Sequence, residues 1–134
     1  MEDQGGEIQI GARTTFEESH LAVTGIGRRI VIGEDCMFSG DIDVRTGDSH
    51  ALVDLRGNKL NPEQDVIINN HVWVASHCSI LKGAQLGAGS IVATHSTVTR
   101  VFKEDNLLVG GSPASKLKEG ISWTRQRFPS IPGN

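Results

Sequence analysis

Aromatic residues are scarce in this chain of 134 residues: they make up 4% of it, and tyrosine is absent. Small globular proteins usually rely on aromatic rings to fill the core, so this core must be filled by small and branched side chains. Glycine is frequent, with 16 residues. The combination predicts a narrow interior of repeated shape, and the length favours a single domain over residues 1–134.

Long apolar runs and strong net basicity are also missing. No apolar run approaches the roughly 20 residues of a membrane-spanning helix, and the N-terminus lacks the basic and apolar layout of a signal peptide. The net charge is −3, and no aromatic residues alternate with basic ones to support base stacking. We therefore expect no membrane span, a cytoplasmic location and no nucleic-acid partner.

Charge is uneven along the chain. Residues 66–99 contain no acid and a single basic residue, Lys82, whereas residues 100–134 contain six basic and three acidic residues. This bias indicates either a solvated face or a phosphate-bearing ligand near the C-terminal half.

Apolar residues recur every six positions through most of the chain. Ten positions lead these repeats, and all are apolar: Ile26, Ile32, Phe38, Val44, Ile68, Val74, Ile80, Leu86, Val92 and Val98. The residues four positions after each lead are mostly small or apolar, and side chains two apart on a strand share a face. Each hexapeptide is therefore interpreted as a short strand followed by a turn. This period predicts an all-β parallel β-helix of about four coils, with weaker turns near Ile8, Ile10 and Phe16.

The repeat fails between Ser49 and Asp65, which predicts a protruding loop over about residues 49–66. Loops on rigid scaffolds often carry function. Just before the loop, Asp48 places a carboxylate where the pattern requires an apolar residue, and it forms a polar cluster with His50. The cluster is either a functional site or a polar cap on a solvent-facing loop.

Four runs carry a resemblance to a known family: IGEDCMF at residues 32–38, TGDSH at 46–50, HVWV at 71–74 and GSPA at 111–114. In this order, over roughly residues 26–123, they resemble the hexapeptide-repeat acyltransferases, in particular the branch that O-acetylates sugars and polysaccharides. The resemblance implies a left-handed parallel β-helix with a short C-terminal cap in the tail, residues 112–134. It also implies a homotrimer whose active sites lie between subunits.

The chemistry that this resemblance implies is direct transfer of acetyl from acetyl-CoA to a hydroxyl of a saccharide acceptor. His50 matches the family's loop histidine and would act as general base. Asp48 and Trp73 would contact the acceptor substrate, and no metal is expected. The residues that match acetyl-CoA-binding positions are Trp73, Ser76, Thr94, Thr99, Arg100 and Lys118. The chain departs from the family at Ala93-Thr94-His95, which replaces a Gly-Ala-Gly turn, and at Ser115, which replaces a basic residue.

Two other functions stay open at this stage. His77 and His95 are one coil apart and should stack, as in zinc-dependent carbonic anhydrases of the same fold, which bind metal through three histidines. Exposed turn histidines explain the same pattern, and His71 is expected at a different corner. The second alternative is a non-catalytic trimeric scaffold.

Two further predictions concern packing. Cys36 and Cys78 fall on inward positions, which predicts packed, reduced thiols. The tail contains Trp123 and Ile131 among basic residues, and it should either cap the last coil or cross to a neighbouring subunit. Trp123 and Arg125 are candidates for contact with the acceptor.

Overall fold

The structure, a computed structural model, describes residues 3–128, and within that range it contains fifteen β-strands and no helix. No helix in the described part is thus long and apolar enough to cross a membrane. The strands, in chain order, are β1 (Glu7–Ile10), β2 (Thr15–Phe16), β3 (Ser19–Ala22), β4 (Arg29–Ile32), β5 (Met37–Phe38), β6 (Ile42–Arg45), β7 (Val66–Ile68), β8 (Trp73–Val74), β9 (Ser79–Ile80), β10 (Gln85–Leu86), β11 (Ile91–Val92), β12 (Thr97–Val98), β13 (Val101–Phe102), β14 (Leu107–Gly111) and β15 (Ala114–Glu119).

The strands form three sheets, which we call faces A, B and C. Face A contains β1, β4, β7, β10 and β13; face B contains β2, β5, β8, β11, β14 and β15; face C contains β3, β6, β9 and β12. Successive strands lie on successive faces, and all neighbours pair in parallel except β14 and β15. The chain therefore winds around a three-sided prism with four complete coils and two sides of a fifth. The predicted parallel β-helix is confirmed.

The core is a set of branched side chains stacked in register. Nine of the ten lead residues are buried inside the prism: Ile32, Phe38, Val44, Ile68, Val74, Ile80, Leu86, Val92 and Val98. Each pairs with a lead residue of an adjacent coil, as Ile68 does with Leu86 on face A. Such a narrow interior leaves room for few rings, which explains the scarcity of aromatic residues.

The prediction for the first lead residue is wrong, because Ile26 is 80% exposed. Ile8 on the first coil pairs with Ile30 on the second, 22 residues later. The extra length over an 18-residue coil lies at the corner between β3 and β4, and Ile26 lies in it. Val23, at 1% exposure, takes the inward position instead.

The corners of the prism use the left-handed backbone region at residues other than glycine. At the corner between faces B and C, Asp41, His77 and His95 have φ of 56°, 62° and 57°. This repeated conformation places successive corner side chains above one another. The His77 and His95 rings stack with their centroids 4.7 Å apart, as predicted.

The C-terminal part of the chain folds back on its own prism. Strand β15 pairs antiparallel with β14 and covers the outer edge of face B, which confirms a C-terminal cap on that face. Beyond residue 120, the chain runs down the corner between faces A and B rather than across the last coil. Residues 129–134, including Ile131, lie outside the described residues.

Candidate active site

The segment between β6 and β7 forms a loop that protrudes at the corner between faces C and A. Ser49 has φ of 68°, and this left-handed residue turns the chain immediately before His50. The His50 side chain is exposed, and among the described residues it makes no side-chain hydrogen bond. An exposed, unpartnered imidazole on a turn is free to exchange a proton with a ligand.

Asn61 holds the two ends of the loop together and is 5% exposed. Its side-chain oxygen accepts a hydrogen bond from the backbone N–H of Leu52 at 2.7 Å. Its side-chain nitrogen donates to the backbone carbonyl of His50 at 2.9 Å and to the Asp48 carboxylate at 2.8 Å. One amide thus holds the His50 carbonyl, the Leu52 N–H and the Asp48 carboxylate.

Asp48 lies at the root of the loop and is exposed, so it does not occupy the inward position that the repeat assigned to it. Thr46, which is fully buried, is the last inward residue before the loop. The Lys82 ammonium and the Asn61 amide both donate to Asp48, and these hydrogen bonds lower the pKa of its carboxyl. Asp48 is therefore a fixed carboxylate that ties the loop to the next coil.

Thr99 and Arg100 lie on the same corner as the His50 loop, between β12 and β13. The Arg100 guanidinium stacks over the Phe102 ring at 4.8 Å. Arg100 also lines a cavity of about 460 Å³ together with Lys103 and Lys116. Glu104 lines the same cavity, and Lys116 is paired with Glu104 and Glu119. Arg100 and Lys103 are therefore the cations in this cavity that suit phosphate groups.

Ser76 and Thr94 meet at the corner between faces B and C, one coil apart. The Thr94 hydroxyl donates to the Ser76 carbonyl at 2.7 Å. The backbone N–H of His95 donates to the same carbonyl at 3.1 Å. The Thr94 hydroxyl therefore adds a hydrogen bond between coils that an alanine at this position could not make.

Trp73 and Lys118 belong to face B, Trp73 on β8 and Lys118 on the added strand β15. Val74 is buried, so Trp73 beside it points out of the prism. In a three-sided prism, face B lies opposite the corner that carries His50. One chain therefore does not bring His50 and Trp73 together.

Neither cysteine is a candidate nucleophile. Cys36 and Cys78 are free and buried, as predicted, and burial raises the pKa of both thiols. Among residues 3–128, no group of three or more histidine, cysteine and acidic side chains could hold a metal ion. His71 lies at the corner between faces A and B, away from the stacked pair His77 and His95.

Sequence reasoning missed two residues that shape this site. Lys82 had a visible signal, because it is the single charged residue in residues 66–99. Asn61 had none, since one asparagine before a proline is ordinary in a loop.

Comparison with known proteins supports the family resemblance. No protein-family model matches the chain. A polysialic acid O-acetyltransferase of Neisseria meningitidis is 37% identical over 124 residues, which cover 92% of this chain and 57% of that protein. One of Escherichia coli O1:K1 is 35% identical over 123 residues, covering 91% of this chain and 39% of that protein. The chain is thus similar over about nine-tenths of its length to two polysialic acid O-acetyltransferases.

Solved structures agree with this homology. The polysialic acid O-acetyltransferase OatWY matches with a TM-score of 0.90 and 35% identity, over 96% of this chain and 61% of that chain. The polysialic-acid-specific acetyltransferase NeuO matches with a TM-score of 0.85 and 32% identity, over 95% of this chain and 58% of that chain. The left-handed β-helix is therefore confirmed. The chain spans 39% of the length of the Escherichia coli relative and 57% of the length of the Neisseria meningitidis relative.

Proposed function

We propose that the chain is an acetyl-CoA-dependent O-acetyltransferase that acts on a hydroxyl of a sugar or polysaccharide, with His50 as general base. The observation that carries this proposal is the loop that holds an exposed His50, in a chain homologous over nine-tenths of its length to polysialic acid O-acetyltransferases. We propose a cytoplasmic location because acetyl-CoA is supplied there.

The reaction needs one proton acceptor and no covalent intermediate. His50 takes the proton of the acceptor hydroxyl as its oxygen attacks the thioester carbon of acetyl-CoA. The C–S bond then breaks, the acetyl ester forms, and the departing thiolate takes the proton from His50. General base catalysis of this kind typically contributes ~10²–10⁴-fold. The burial of both cysteines supports direct transfer.

The residues proposed to bind acetyl-CoA fit that ligand in chemistry. Arg100 and the basic cavity around it supply cations for the phosphates, and Lys118 adds another. Thr99 lies beside Arg100. Ser76, Thr94 and Trp73 would line the path of the pantetheine arm, and the Thr94 side chain would make that path narrower than an alanine would.

The separation of these groups within one chain supports a homotrimer. His50, Thr99 and Arg100 lie on one corner, whereas Trp73 lies on the opposite face. A neighbouring copy related by a threefold axis could bring its face B to the His50 corner of the first copy. The loop supports such an interface, because it exposes four large apolar side chains: Leu52, Val53, Leu55 and Leu60.

Subunit mixing tests the shared site. We expect His50→Ala and Trp73→Ala homotrimers to be inactive separately. After unfolding and refolding together, mixed trimers should regain part of the parent rate, because some clefts then combine an intact His50 with an intact Trp73. Failure of the mixture to regain activity would contradict a site between subunits.

An acidic sugar is the acceptor that we propose, by analogy with the relatives. A cavity of about 200 Å³ lies beside the loop root and is lined by His20, Arg45 and Ser49, among others. The Arg45 Nε donates to Asp43 at 2.7 Å, which leaves the outer guanidinium nitrogens for a carboxylate. The test is release of free CoA with polysialic acid, a neutral hexose or an N-acetylhexosamine. Equal rates with all three would refute the acidic acceptor.

A further inference from the structure

Residues 121–128 form a segment, here named the strap, that runs down the corner between faces A and B. It begins where the Ile121 N–H donates to the Asn106 carbonyl of the fifth coil at 3.1 Å. Farther along, it reaches Thr15 of the first coil. The strap therefore crosses the whole length of the prism on the outside, past strand β8.

Trp123 anchors the middle of the strap on His71. The two rings stack with centroids 4.0 Å apart and an interplanar angle of 5°. The Trp123 indole N–H donates to the His71 carbonyl at 2.8 Å, and the His71 Nε2 lies 2.9 Å from the Trp123 carbonyl. These contacts leave Trp123 only 9% exposed, so it is not the free acceptor-binding ring that the sequence suggested.

Arg125 anchors the lower end of the strap. Its guanidinium donates to the Thr15 hydroxyl and the Cys36 carbonyl at 3.0 Å each. It also lies 3.4 Å from the Asp35 carboxylate. A planar guanidinium with several fixed partners holds its backbone more firmly than a single surface ion pair does.

The docked strap places Trp123 against Trp73. The two ring centroids are 6.2 Å apart, with an interplanar angle of 51°. On its other side, the Trp73 indole N–H donates weakly to the Ser39 hydroxyl at 3.4 Å. Trp73 thus lies between Trp123 of the strap and Ser39 of the coil below.

We propose that Trp123 is a positioning residue, through which the strap holds Trp73 in the orientation that binds acetyl-CoA. The identity of the ligand, acetyl-CoA, rests on the proposed function. The dependence of the Trp73 orientation on the strap is independent of that function. Release of the strap would free the Trp73 ring and weaken acetyl-CoA binding without changing His50.

His71 contacts both the strap and the coil below through its two ring nitrogens. Its Nδ1 lies 2.8 Å from the Asp35 carboxylate and its Nε2 lies 2.9 Å from the Trp123 carbonyl. His71 therefore links the middle of the strap to the Asp35 corner.

The chain offers a direct spectroscopic readout, because Trp73 and Trp123 are its two tryptophans. Two indoles this close and tilted give an exciton couplet in the far-ultraviolet circular dichroism spectrum. Arg125→Ala keeps both rings but removes the lower anchor, and we expect it to reduce the couplet by more than half. The matched control is Arg127→Ala, since Arg127 stacks on Phe128 within the strap itself. A couplet that persists in Arg125→Ala would overturn the role of the strap.

Removal of the His71 ring tests the upper anchor. In His71→Asn, which tolerates the left-handed backbone, the couplet should be weak because Trp123 loses the ring on which it stacks. A full couplet in this variant would contradict the role of His71 as an anchor.

Acetyl-CoA binding by calorimetry separates this proposal from the proposed function. Trp123→Ala should raise the dissociation constant of acetyl-CoA by about 2- to 10-fold, the range for the loss of one aromatic contact. Trp123→Phe, which keeps a ring on His71, should restore most of the affinity. Unchanged affinity in Trp123→Ala would overturn the proposal. If the parent binds no acetyl-CoA, the proposed function fails, and the couplet still decides whether the strap positions Trp73.

Discussion

The Asn61 amide is the most informative single group to remove, because it acts on His50 without touching a substrate. Asn61→Ala deletes three hydrogen bonds, to Leu52, His50 and Asp48. At about 1 kcal/mol net for each bond, the fixed conformation of the loop loses about 3 kcal/mol. That loss corresponds to roughly a hundredfold change in the equilibrium between the fixed and the open loop.

Water can replace part of these bonds, because Leu52 and His50 are exposed, so we expect kcat/KM to fall between about 10- and 100-fold. The melting temperature should change little, since the loop lies outside the stacked core. The assay is release of free CoA in the presence of the saccharide acceptor.

Asn58→Ala in the same loop is the matched control. Its side chain donates only to the exposed Asp54 carboxylate at 3.0 Å, so the variant should keep the parent rate. If Asn61→Ala also stays within twofold of the parent, the conclusion that Asn61 positions His50 is wrong.

Three further predictions concern charge, core and thiols. Hydrogen bonds from Lys82 and Asn61 lower the pKa of the Asp48 carboxyl below its ordinary 3.8. The contribution of Asp48 to stability is therefore complete above pH 3.8 and is lost as the pH falls through the lowered pKa. The difference in unfolding free energy between the parent and Asp48→Asn, measured by urea unfolding, should shrink from about pH 5 to about pH 3. Leu86→Ala removes a fully buried side chain and should cost about 2–5 kcal/mol of unfolding free energy in the same measurement; a smaller loss would mean that the coils collapse around the gap. Burial raises the pKa of both cysteine thiols, so iodoacetamide should modify neither in the folded protein and both after denaturation; rapid labelling of the native chain would contradict their placement.

Much of the fold could be predicted because each repeat is a local rule. An apolar lead at every sixth residue places one side chain inside the prism. Stacking in register then aligns it with the lead residue of the next coil, as Ile68 and Leu86 illustrate. The prediction for Ile26 was wrong because Gly25 and Gly27 allow a longer corner. A count in steps of six does not detect such an insertion. The prediction that His77 and His95 stack succeeded because it depended only on coil length.

The candidate site was harder to predict, because its parts meet through long-range contacts. His50 and Asp48 were found at the break in the repeat, but the Asn61 amide that fixes them lies across the loop. The strap is set by the contact between Trp123 and His71, 52 residues apart in sequence, and no periodicity connects them. Trp73 was identified by resemblance alone, and its separation from His50 emerged only from the order of the faces.

The central claim is that His50 accepts the proton of a saccharide hydroxyl during acetyl transfer. The most direct test is the rate of CoA release by His50→Ala, with acetyl-CoA and polysialic acid as substrates, in a protein whose melting temperature and acetyl-CoA affinity match those of the parent. Loss of the base should lower kcat by ~10²–10⁴-fold. A variant that turns over at close to the parent rate would contradict the account.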